Sequence, residues 1–358
     1  MKFSTCFLIL LSLLTSCESE EDISTEIDQQ EDNFISAVDI SSFPEIESTH
    51  PLFYDRNGEE TDFLSILKKN GVNTIRLRLW VNPVHQHSTY QEVKTFTERL
   101  RHLGFKIWLT LHYSDTWADP AQQETPLAWQ ELSYKQLKNK VSTYTKTIAE
   151  EIQPDFIQIG NEINSGFLHP KGNLTDYPTQ FKELMTLAIA EVRDNSPNSK
   201  IIIHYAGLNQ VNEFYSELNN LDYDIIGLSY YPIWHGKELL QLDETLKSLS
   251  NNFNNKKIII AETAYPFTLD WNDWTNNILG QEDQLILPEY PATPQGQAQF
   301  INTLKNIVAK TPNGIGFCYW GAELIAWKGE EAEDASSWEN QALFDFENQA
   351  LPVIKEFK

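Results

Sequence analysis

The regular alternation of short apolar runs with longer amphipathic stretches is the feature that most constrains how this chain can fold. Eight runs rich in β-branched and aromatic residues lie at 34–40, 74–80, 106–112, 156–160, 201–205, 225–231, 257–261 and 316–320. Helix-like stretches lie between most of them, at 62–70, 90–103, 134–151, 181–195, 238–250 and 293–309. Strands that alternate with helices in this way indicate a parallel sheet in an α/β fold.

The eight strand candidates and their helices occupy residues 34–358, which predicts a single (β/α)8 TIM barrel with long loops at the C-terminal face of the strands. The alternative is an open, doubly wound sheet. That fold usually carries a glycine-rich phosphate turn after its first strand. Residues 39–43, DISSF, follow the first run and contain no glycine, so we favour the barrel.

Residues 1–16 have the properties of a secretory signal peptide. Lys2 precedes an apolar run at 7–14 that is too short to span a bilayer as a helix. The run ends in Leu-Thr-Ser before Cys17, which resembles a bacterial lipobox, so we expect Cys17 to be lipidated. The alternative is an ordinary secretory signal with an incidental cysteine.

Residues 17–33 are acidic and poor in large apolar side chains, which predicts a disordered tether after the lipidated cysteine. An acidic stretch at this place also resembles the surface-export signal of Bacteroidetes lipoproteins; the alternative is a solvated spacer. We therefore expect an exported lipoprotein, held to the outer membrane by a lipid anchor alone. Its folded domain, residues 34–358, would lie at the cell surface, and an anchor that faces the periplasm is the alternative.

The charge balance bears on the partners of the folded domain. The chain has 27 Lys and Arg against 51 Asp and Glu, and its net charge of −24 would repel the phosphates of nucleic acids. A neutral polymer such as a glycan meets no such repulsion, and the 10 Trp of the chain offer aromatic faces on which sugars can stack. We expect a monomer that binds a glycan and no nucleic acid.

Polar and aromatic side chains stand where six of the eight apolar runs end. They are Arg78 and Trp80, His112 and Tyr113, Asn161 and Glu162, Tyr230 and Tyr231, Glu262, and Trp320. In a (β/α)8 barrel the carboxyl ends of all strands meet at one face, where active sites lie. One polar residue at a strand end is ordinary, but six strands that end in this way predict a shared cleft.

Glu162 and Glu262 form a candidate catalytic pair within this cleft. Each follows a run rich in isoleucine, and the fourth and seventh strands face each other across an eight-stranded barrel. Retaining glycoside hydrolysis needs an acid/base and a nucleophile, both carboxyl groups, about 5–5.5 Å apart. A single glutamate at a strand end has a simpler explanation, since the helix dipole favours acidic residues in a first helical turn.

Several neighbours are candidates for supporting the pair. Asn161 could donate to a sugar hydroxyl, and the positive charge of Arg78 could keep a carboxylate ionised. Alternation along the strand allows only one of Tyr230 and Tyr231 to face the cleft, and we favour Tyr231. His112 could bind a sugar hydroxyl or orient a carboxylate; the alternative is a buried structural histidine.

Six segments together resemble the motifs of family 53 glycoside hydrolases, the endo-β-1,4-galactanases. They are GVNTIRLRLWVNP at 71–83, HYSDTWADP at 112–120, QIGNEIN at 158–164, GLSYYP at 227–232, AETAYP at 261–266 and SWENQALFD at 337–345. They occur in the order of the family's motifs and extend the resemblance from about Asp39 to the end of the chain. The resemblance implies that Trp80, Asp115, Trp117 and Trp320 bind substrate or support the cleft.

The resemblance also implies retaining endo-hydrolysis of β-1,4-galactosidic bonds in galactan and type I arabinogalactan. Glu162 would be the acid/base and Glu262 the nucleophile, and the chemistry would require no cofactor. Some bacterial members hold calcium in the loop after the seventh strand, where Asp270, Asn272 and Asn276 offer side-chain oxygens. The alternative for this segment is an aromatic cleft loop.

Two other functions stay open at this point. The first is another β-glycanase of the same clan, such as a mannanase, although the motifs after the third and eighth strands argue against it. The second is a surface lipoprotein that binds glycans without catalysis. The presence of both glutamates argues against that alternative.

Overall fold

The computed structural model describes Met1 and residues 34–358 of the chain. The predicted lipidation site Cys17, the tether and all of the predicted signal peptide except Met1 lie outside the described residues. None of the helices in the described part combines the length and the apolar character that a membrane span requires.

Eight parallel strands form a closed barrel. They are β1 Ile35–Asp39, β2 Thr74–Leu79, β3 Lys106–Leu111, β4 Phe156–Ile159, β5 Lys200–Ala206, β6 Ile225–Ser229, β7 Lys257–Thr263 and β8 Gly314–Trp320. Each strand pairs with the next, and β8 pairs with β1. The predicted (β/α)8 barrel is therefore confirmed and the open doubly wound sheet is excluded. Each predicted run coincides with one strand, with ends that differ by no more than about two residues.

Helices connect the strands and surround the barrel. They are α1 Phe43–Glu47, α2 Phe63–Lys69, α3 Tyr90–His102, α4 Tyr134–Ile152, α5 Pro178–Asn195, α6 Val211–Glu217, α7 Pro232–His235, α8 Leu239–Asn252 and α9 Pro294–Lys310. The sequence did not predict α1, α6 and α7. Two of them, α1 and α7, have only 5 and 4 residues, which is too short for an apolar face to repeat along the sequence. The third, α6, has 7 residues, and its sequence VNEFYSE has few apolar positions.

The barrel interior is apolar toward the beginning of the strands and polar toward their ends. The apolar layer consists of Ile35, Ala37, Trp108, Phe156, Ile202, Ile225, Ile259, Ala261 and Cys318, all buried. The polar layer contains Arg76, Gln158 and His204, which are also buried. Because buried polar groups are costly unless they are hydrogen-bonded, this layer depends on the residues at the mouth of the barrel.

A β-bulge in β7 turns Glu262 toward the interior. Leu228 of β6 pairs with Ile260, but Ser229 pairs with Glu262 rather than with Ala261, so β7 has one extra residue here. In a regular strand Ala261 and Glu262 would point to opposite faces, and Ala261 belongs to the interior layer. The bulge re-aims the glutamate and places it beside Ser229.

The turn that carries Glu162 out of β4 depends on Gly160. The backbone of Gly160 is left-handed, with φ at +76°, and an added Cβ would lie 2.4 Å from Cγ2 of Ile163. Ile163 is fully buried and has little room to move. Glu162 also has a positive φ, +48°, which few non-glycine residues adopt. Glycine at 160 therefore allows the tight turn that presents the glutamate.

We expect Gly160→Ala to lower the free energy of unfolding by about 3 kcal/mol, because it adds both backbone strain and a clash with Ile163. Gly58→Ala is the matched control, since Gly58 has φ +80° but no atom within 4 Å of an added Cβ. The control should lose about 1 kcal/mol, from backbone strain alone. Urea denaturation measures both values, and equal losses would contradict the effect ascribed to the Ile163 contact.

Candidate active site

Glu162 and Glu262 line a cavity of about 540 Å³ at the C-terminal face of the barrel. Glu162 is 8% exposed and Glu262 is 6% exposed, so both carboxyl groups are largely removed from water. One carboxyl oxygen of each residue lies within 4.8 Å of the other. This short separation fits a retaining pair, because an inverting pair stands further apart to leave room for a water molecule.

Arg76 is the cation beside Glu262. Its guanidinium lies 2.8 Å from a carboxylate oxygen of Glu262, and it donates to Asp39 at 2.8 Å and to Asn161 at 2.7 Å. Burial alone would lower the pKa of Arg76, but the negative charges of Glu262 and Asp39 raise that pKa above its ordinary value. The guanidinium therefore stays charged and favours the ionised form of Glu262.

The surroundings of the two glutamates differ in charge. Burial raises the pKa of Glu262, whereas the charge of Arg76 and a hydrogen bond from Tyr231 at 3.1 Å oppose this rise. Burial also raises the pKa of Glu162, and the charge of Glu262 raises it further. The donor to Glu162 is the neutral hydroxyl of Ser229, which stabilises a carboxylate less than a guanidinium does. The pKa of Glu162 is therefore the higher of the two.

Arg78 is not the arginine that contacts the pair, so the role expected for Arg78 is wrong and belongs to Arg76. The guanidinium of Arg78 instead donates to two loop hydroxyls and lies over two indole rings. These partners are Ser88 at 2.8 Å, Ser42 at 3.1 Å, and the rings of Trp80 at 4.7 Å and Trp117 at 4.2 Å. Both arginines face inward, but Arg78 starts two residues nearer the mouth, and its long side chain reaches the loops.

A second cavity of about 840 Å³ adjoins the first. Trp117, Trp320 and Trp338 line both cavities, and Trp80 lines the second. The ring centroids of Trp80 and Trp117 are 5.4 Å apart, and those of Trp117 and Trp320 are 5.9 Å apart. The predicted tryptophans thus form a continuous aromatic wall along the cleft.

His112 lines the first cavity as a neutral side chain. It is 3% exposed, and its Nδ1 accepts a hydrogen bond from the indole of Trp80 at 3.3 Å. Burial and the charges of Arg76 and Arg78 lower the pKa of His112 well below its ordinary value. A neutral imidazole can hydrogen-bond a sugar hydroxyl without adding a charge to the cleft.

Asp115 supports the cleft from outside, since it lines neither cavity. Its carboxylate accepts from the backbone N–H of Asn82 at 2.9 Å and from that of Leu127 at 2.8 Å. These two bonds join the loop after β2 to the loop after β3. Asp115 therefore holds the loops that carry the aromatic wall.

Asn161 and Tyr231 both lie at the glutamates. The side-chain oxygen of Asn161 accepts from Arg76, and its nitrogen donates to the carbonyl of Ala118 at 2.9 Å. An amide nitrogen carries a second hydrogen, which is available for a ligand in the cavity that Asn161 lines. Tyr231 donates to Glu262, whereas Tyr230 donates to the carbonyl of Gly236. Tyr231 is therefore the tyrosine at the site.

Comparison with known proteins identifies the family. The model of the family described as "Glycosyl hydrolase family 53" matches residues 35–357. The chain belongs to glycosyl hydrolase family 53. It is 30% identical over 395 residues to the Endo-beta-1,4-galactanase of Bacillus subtilis (strain 168), with 96% of this chain and 90% of that protein covered. It is 32% identical over 345 residues to the Arabinogalactan endo-beta-1,4-galactanase of Cellvibrio japonicus (strain Ueda107), with 91% and 90% covered.

A solved structure agrees with this family assignment. The Ignisphaera aggregans GH53 catalytic domain superimposes with a TM-score of 0.84 at 39% identity, covering 91% of this chain and 96% of that chain. The protein is accordingly a glycoside hydrolase built on a (β/α)8 barrel.

The two glutamates of this family 53 enzyme could in principle hold a metal together with His204, since one ligand atom of each lies within 4.8 Å of the others. These atoms already have protein partners. Arg76 contacts Glu262, and both ring nitrogens of His204 are hydrogen-bonded. A guanidinium beside the carboxylate would also repel a cation. The cluster is better explained as the hydrolytic site.

Sequence reasoning missed Ser229 and His204, which support Glu162. Ser229 donates to Glu162, and Nε2 of His204 lies 2.9 Å from the hydroxyl of Ser229. Nδ1 of His204 has both a donor, the Gln158 amide at 3.0 Å, and an acceptor, the Asn161 oxygen at 3.1 Å. Both ring nitrogens of His204 therefore have hydrogen-bond partners, and Nε2 holds the hydroxyl that donates to Glu162. A histidine inside the apolar run 201–205 was the available signal.

The loop after β7 buries oxygens other than those predicted to bind calcium. The predicted ligands were Asp270, Asn272 and Asn276, of which the first and last are exposed. Asp273, Asn277 and Glu339 each have a buried side-chain oxygen without a hydrogen-bond partner among the described residues. Burial raises the pKa of Glu339, and the charge of Asp273 raises it further. Oxygens in this state suit a calcium ion, which takes oxygen ligands.

We expect Ser229→Ala to move the alkaline limb of the pH profile of kcat/KM to higher pH. An acid catalyst must be protonated, so activity is lost as the pH rises through the pKa of Glu162. The Ser229 hydroxyl lowers that pKa, so its removal raises it. Loss of the donor that orients Glu162 should also lower kcat at the optimum about tenfold.

Ser199→Ala is the matched control for this prediction. Ser199 is as deeply buried as Ser229, and its hydroxyl donates to the carbonyl of Pro154, away from the glutamates. The control should leave the pH profile unchanged. An alkaline limb that stays in place or moves to lower pH in Ser229→Ala would contradict the role assigned to Ser229.

Proposed function

We propose that this enzyme hydrolyses internal β-1,4-galactosidic bonds of galactan and type I arabinogalactan with retention of the anomeric configuration. The observation that carries the proposal is the close pair Glu162 and Glu262, of which one is paired with a guanidinium and the other with a neutral hydroxyl. The substrate is inferred from the two bacterial relatives, which are named endo-beta-1,4-galactanases.

In the first step, Glu262 attacks the anomeric carbon while Glu162 donates its proton to the glycosidic oxygen. The bond to the leaving sugar breaks, and an ester bond between Glu262 and the sugar forms. Glu262 loses its negative charge in this step. Arg76 keeps its ion pair with Asp39 at 2.8 Å, so the guanidinium is not left unpaired when the ester forms.

In the second step, Glu162 is ionised and acts as a base. It takes a proton from a water molecule, whose oxygen attacks the anomeric carbon and releases Glu262 as a carboxylate. Both steps invert the configuration, so the product retains it. Tyr231 donates to Glu262 and stabilises the carboxylate as it returns.

The cleft supports cleavage within a polymer rather than at its end. The two cavities share Trp117, Trp320 and Trp338 and together extend beyond the glutamates. A cleft that continues past the cleavage point can hold several sugars, and its indole faces can stack on them. Its proposed ligands are galactan and galacto-oligosaccharides, and the chemistry requires no cofactor.

We also propose that a lipid on Cys17 anchors the enzyme at the surface of the outer membrane, where it acts as a monomer. The lipobox-like end of the leader and the acidic residues 17–33 support this location. A polysaccharide too large to enter the cell has to be cut outside it, which agrees with a surface anchor.

We further propose that a calcium ion stabilises the loop after β7. Its ligands would be Asp273, Asn277 and Glu339, because each has a buried oxygen that accepts no hydrogen bond from the residues that the structure describes. The ion would join this loop to the segment that carries Glu339 and would take no part in the hydrolysis.

Hydrolysis of linear β-1,4-galactan tests the proposed function. We expect a mixture of oligosaccharides early in the reaction, with the new reducing ends in the β configuration when proton NMR records them before mutarotation. Glu262→Gln should lower kcat at least about a thousandfold, because the nucleophile is lost. Cleavage of mannan without cleavage of galactan would overturn the substrate, and an inverted anomer would overturn the mechanism.

Glu162→Gln separates the two roles. An activated aryl galactoside has a leaving group that needs no proton, so its first step should survive this substitution far better than the cleavage of galactan. The Glu262→Gln enzyme should be inactive on both substrates. The opposite pattern would exchange the two assignments.

Calcium at millimolar concentration should raise the melting temperature by about 5 °C relative to the enzyme in EGTA, since an ion that binds only the folded state stabilises it. Glu339→Gln should reduce this shift. Asp270→Asn is the control and should keep it, because the Asp270 side chain is exposed. Equal melting temperatures with and without calcium would contradict the site, and loss of the shift in Asp270→Asn alone would favour the ligands predicted from the sequence.

A further inference from the structure

The loop 270–277 after β7 has the reverse of the usual burial pattern. Trp271 is 50% exposed and Trp274 is 58% exposed, whereas Asp273 is 3% exposed and Thr275 is 7% exposed. Apolar side chains are ordinarily buried and charged ones exposed, so this arrangement gives up favourable burial at two of the largest apolar side chains of the chain. Folding alone gives no reason for it, and two large aromatic side chains exposed on one short loop point to a binding surface.

The buried side of the loop holds the two indoles on a fixed backbone. Asp273 accepts from the N–H of Thr275 at 2.7 Å, and the hydroxyl of Thr275 accepts from the N–H of Ala335 at 3.0 Å. Glu339 accepts from the N–H of Asn272 at 2.7 Å. The backbone on both sides of Trp274 is therefore tied to a neighbouring segment, so an aromatic surface there is preorganised for a ligand.

That neighbouring segment, residues 332–339, forms a wall of the second cavity. Ala335 and Ser337 line the cavity. On the other side of the segment, the N–H of Trp274 donates to the carbonyl of Ala332 at 3.0 Å, and the N–H of Ile278 donates to that of Ser337 at 3.0 Å. The loop with the exposed indoles thus lies directly against the rim of the cleft.

We infer that Trp271 and Trp274 form an outer binding surface for the polysaccharide where it leaves the cleft. The inference rests on the proposed function, which supplies a neutral polymer longer than the cleft. Indole faces suit the C–H faces of sugars, and a ligand without charge suits a chain with a net charge of −24. An anionic surface would be repelled by the same charge.

Kinetics on a long and a short substrate test this inference. In the double variant Trp271→Ala, Trp274→Ala, we expect KM for polymeric β-1,4-galactan to rise about tenfold. The value of kcat/KM for galactotetraose, which is too short to extend far beyond the glutamates, should stay within about twofold of the parent. The double variant Trp271→Phe, Trp274→Phe should retain most of the affinity for the polymer that the alanine variant loses, because an aromatic face, although a smaller one, remains at each position. Leu240→Ala is the matched control, since Leu240 is 66% exposed on α8 and lines neither cavity.

Each outcome of the experiment either supports or overturns the binding of polymer by Trp271 and Trp274. An unchanged KM for the polymer in the alanine double variant would overturn the inference. An equal loss of activity on polymer and tetraose would also overturn it, because that result would indicate damage to the cleft.

Light scattering adds one more outcome. A parent dimer that becomes monomeric in the double variant, with polymer binding unchanged, would overturn the inference and assign the indoles to contact with a second copy of the chain. If the parent cleaves neither galactan substrate, the proposed function fails with this inference; if it cleaves both and the variant matches it, this inference fails alone.

Discussion

The buried guanidinium of Arg76 is the constraint on which the rest of the site depends. A charge that is only 1% exposed is tolerated when opposite charges and hydrogen-bond acceptors surround it, and Arg76 has Asp39, Glu262 and Asn161 around it. These partners come from β1, from β7 and from the residues that follow β4. One side chain on β2 therefore fixes the relative positions of four strand ends, and the geometry of the site is coupled to the closure of the barrel.

The same guanidinium distinguishes two glutamates that burial alone would make alike. Desolvation raises the pKa of both Glu162 and Glu262. Arg76, which contacts Glu262, is the main influence that lowers the pKa there, whereas at Glu162 the hydrogen bond from the neutral Ser229 hydroxyl lowers the pKa more than the charge of Arg76 does. An ionised Glu262 then makes ionisation of its neighbour more costly, because two like charges lie close together in a site of low polarity. The proposed division into acid and nucleophile rests on which of the two carboxyl groups contacts the arginine.

Most of the barrel could be predicted from the sequence, because the length and period of apolar runs are local properties. The contacts of the site could not, because they depend on depth and register. Arg76 and Arg78 face the same way, and only their positions along the barrel axis decide that Arg76 meets Glu262. The bulge at Ala261 leaves no mark in the strand KIIIAET, although it turns the glutamate inward. His204 was hidden in a run that reads as ordinary apolar core.

The burial pattern of the strands does not extend to the loop after β7. In the strands, apolar side chains fill the interior of the barrel and polar side chains lie at its mouth. The barrel therefore positions the two glutamates. In the loop, Asp273 is buried and Trp274 is exposed, so the large apolar side chain contributes little to the core. The glutamates can act only on the bond that lies between them, whereas on the proposed function the remaining sugars of a polymer would contact the loops and the aromatic wall. A close pair of carboxyl groups serves the retaining hydrolysis of most glycans, so the proposed choice of galactan over another glycan depends on residues other than Glu162 and Glu262.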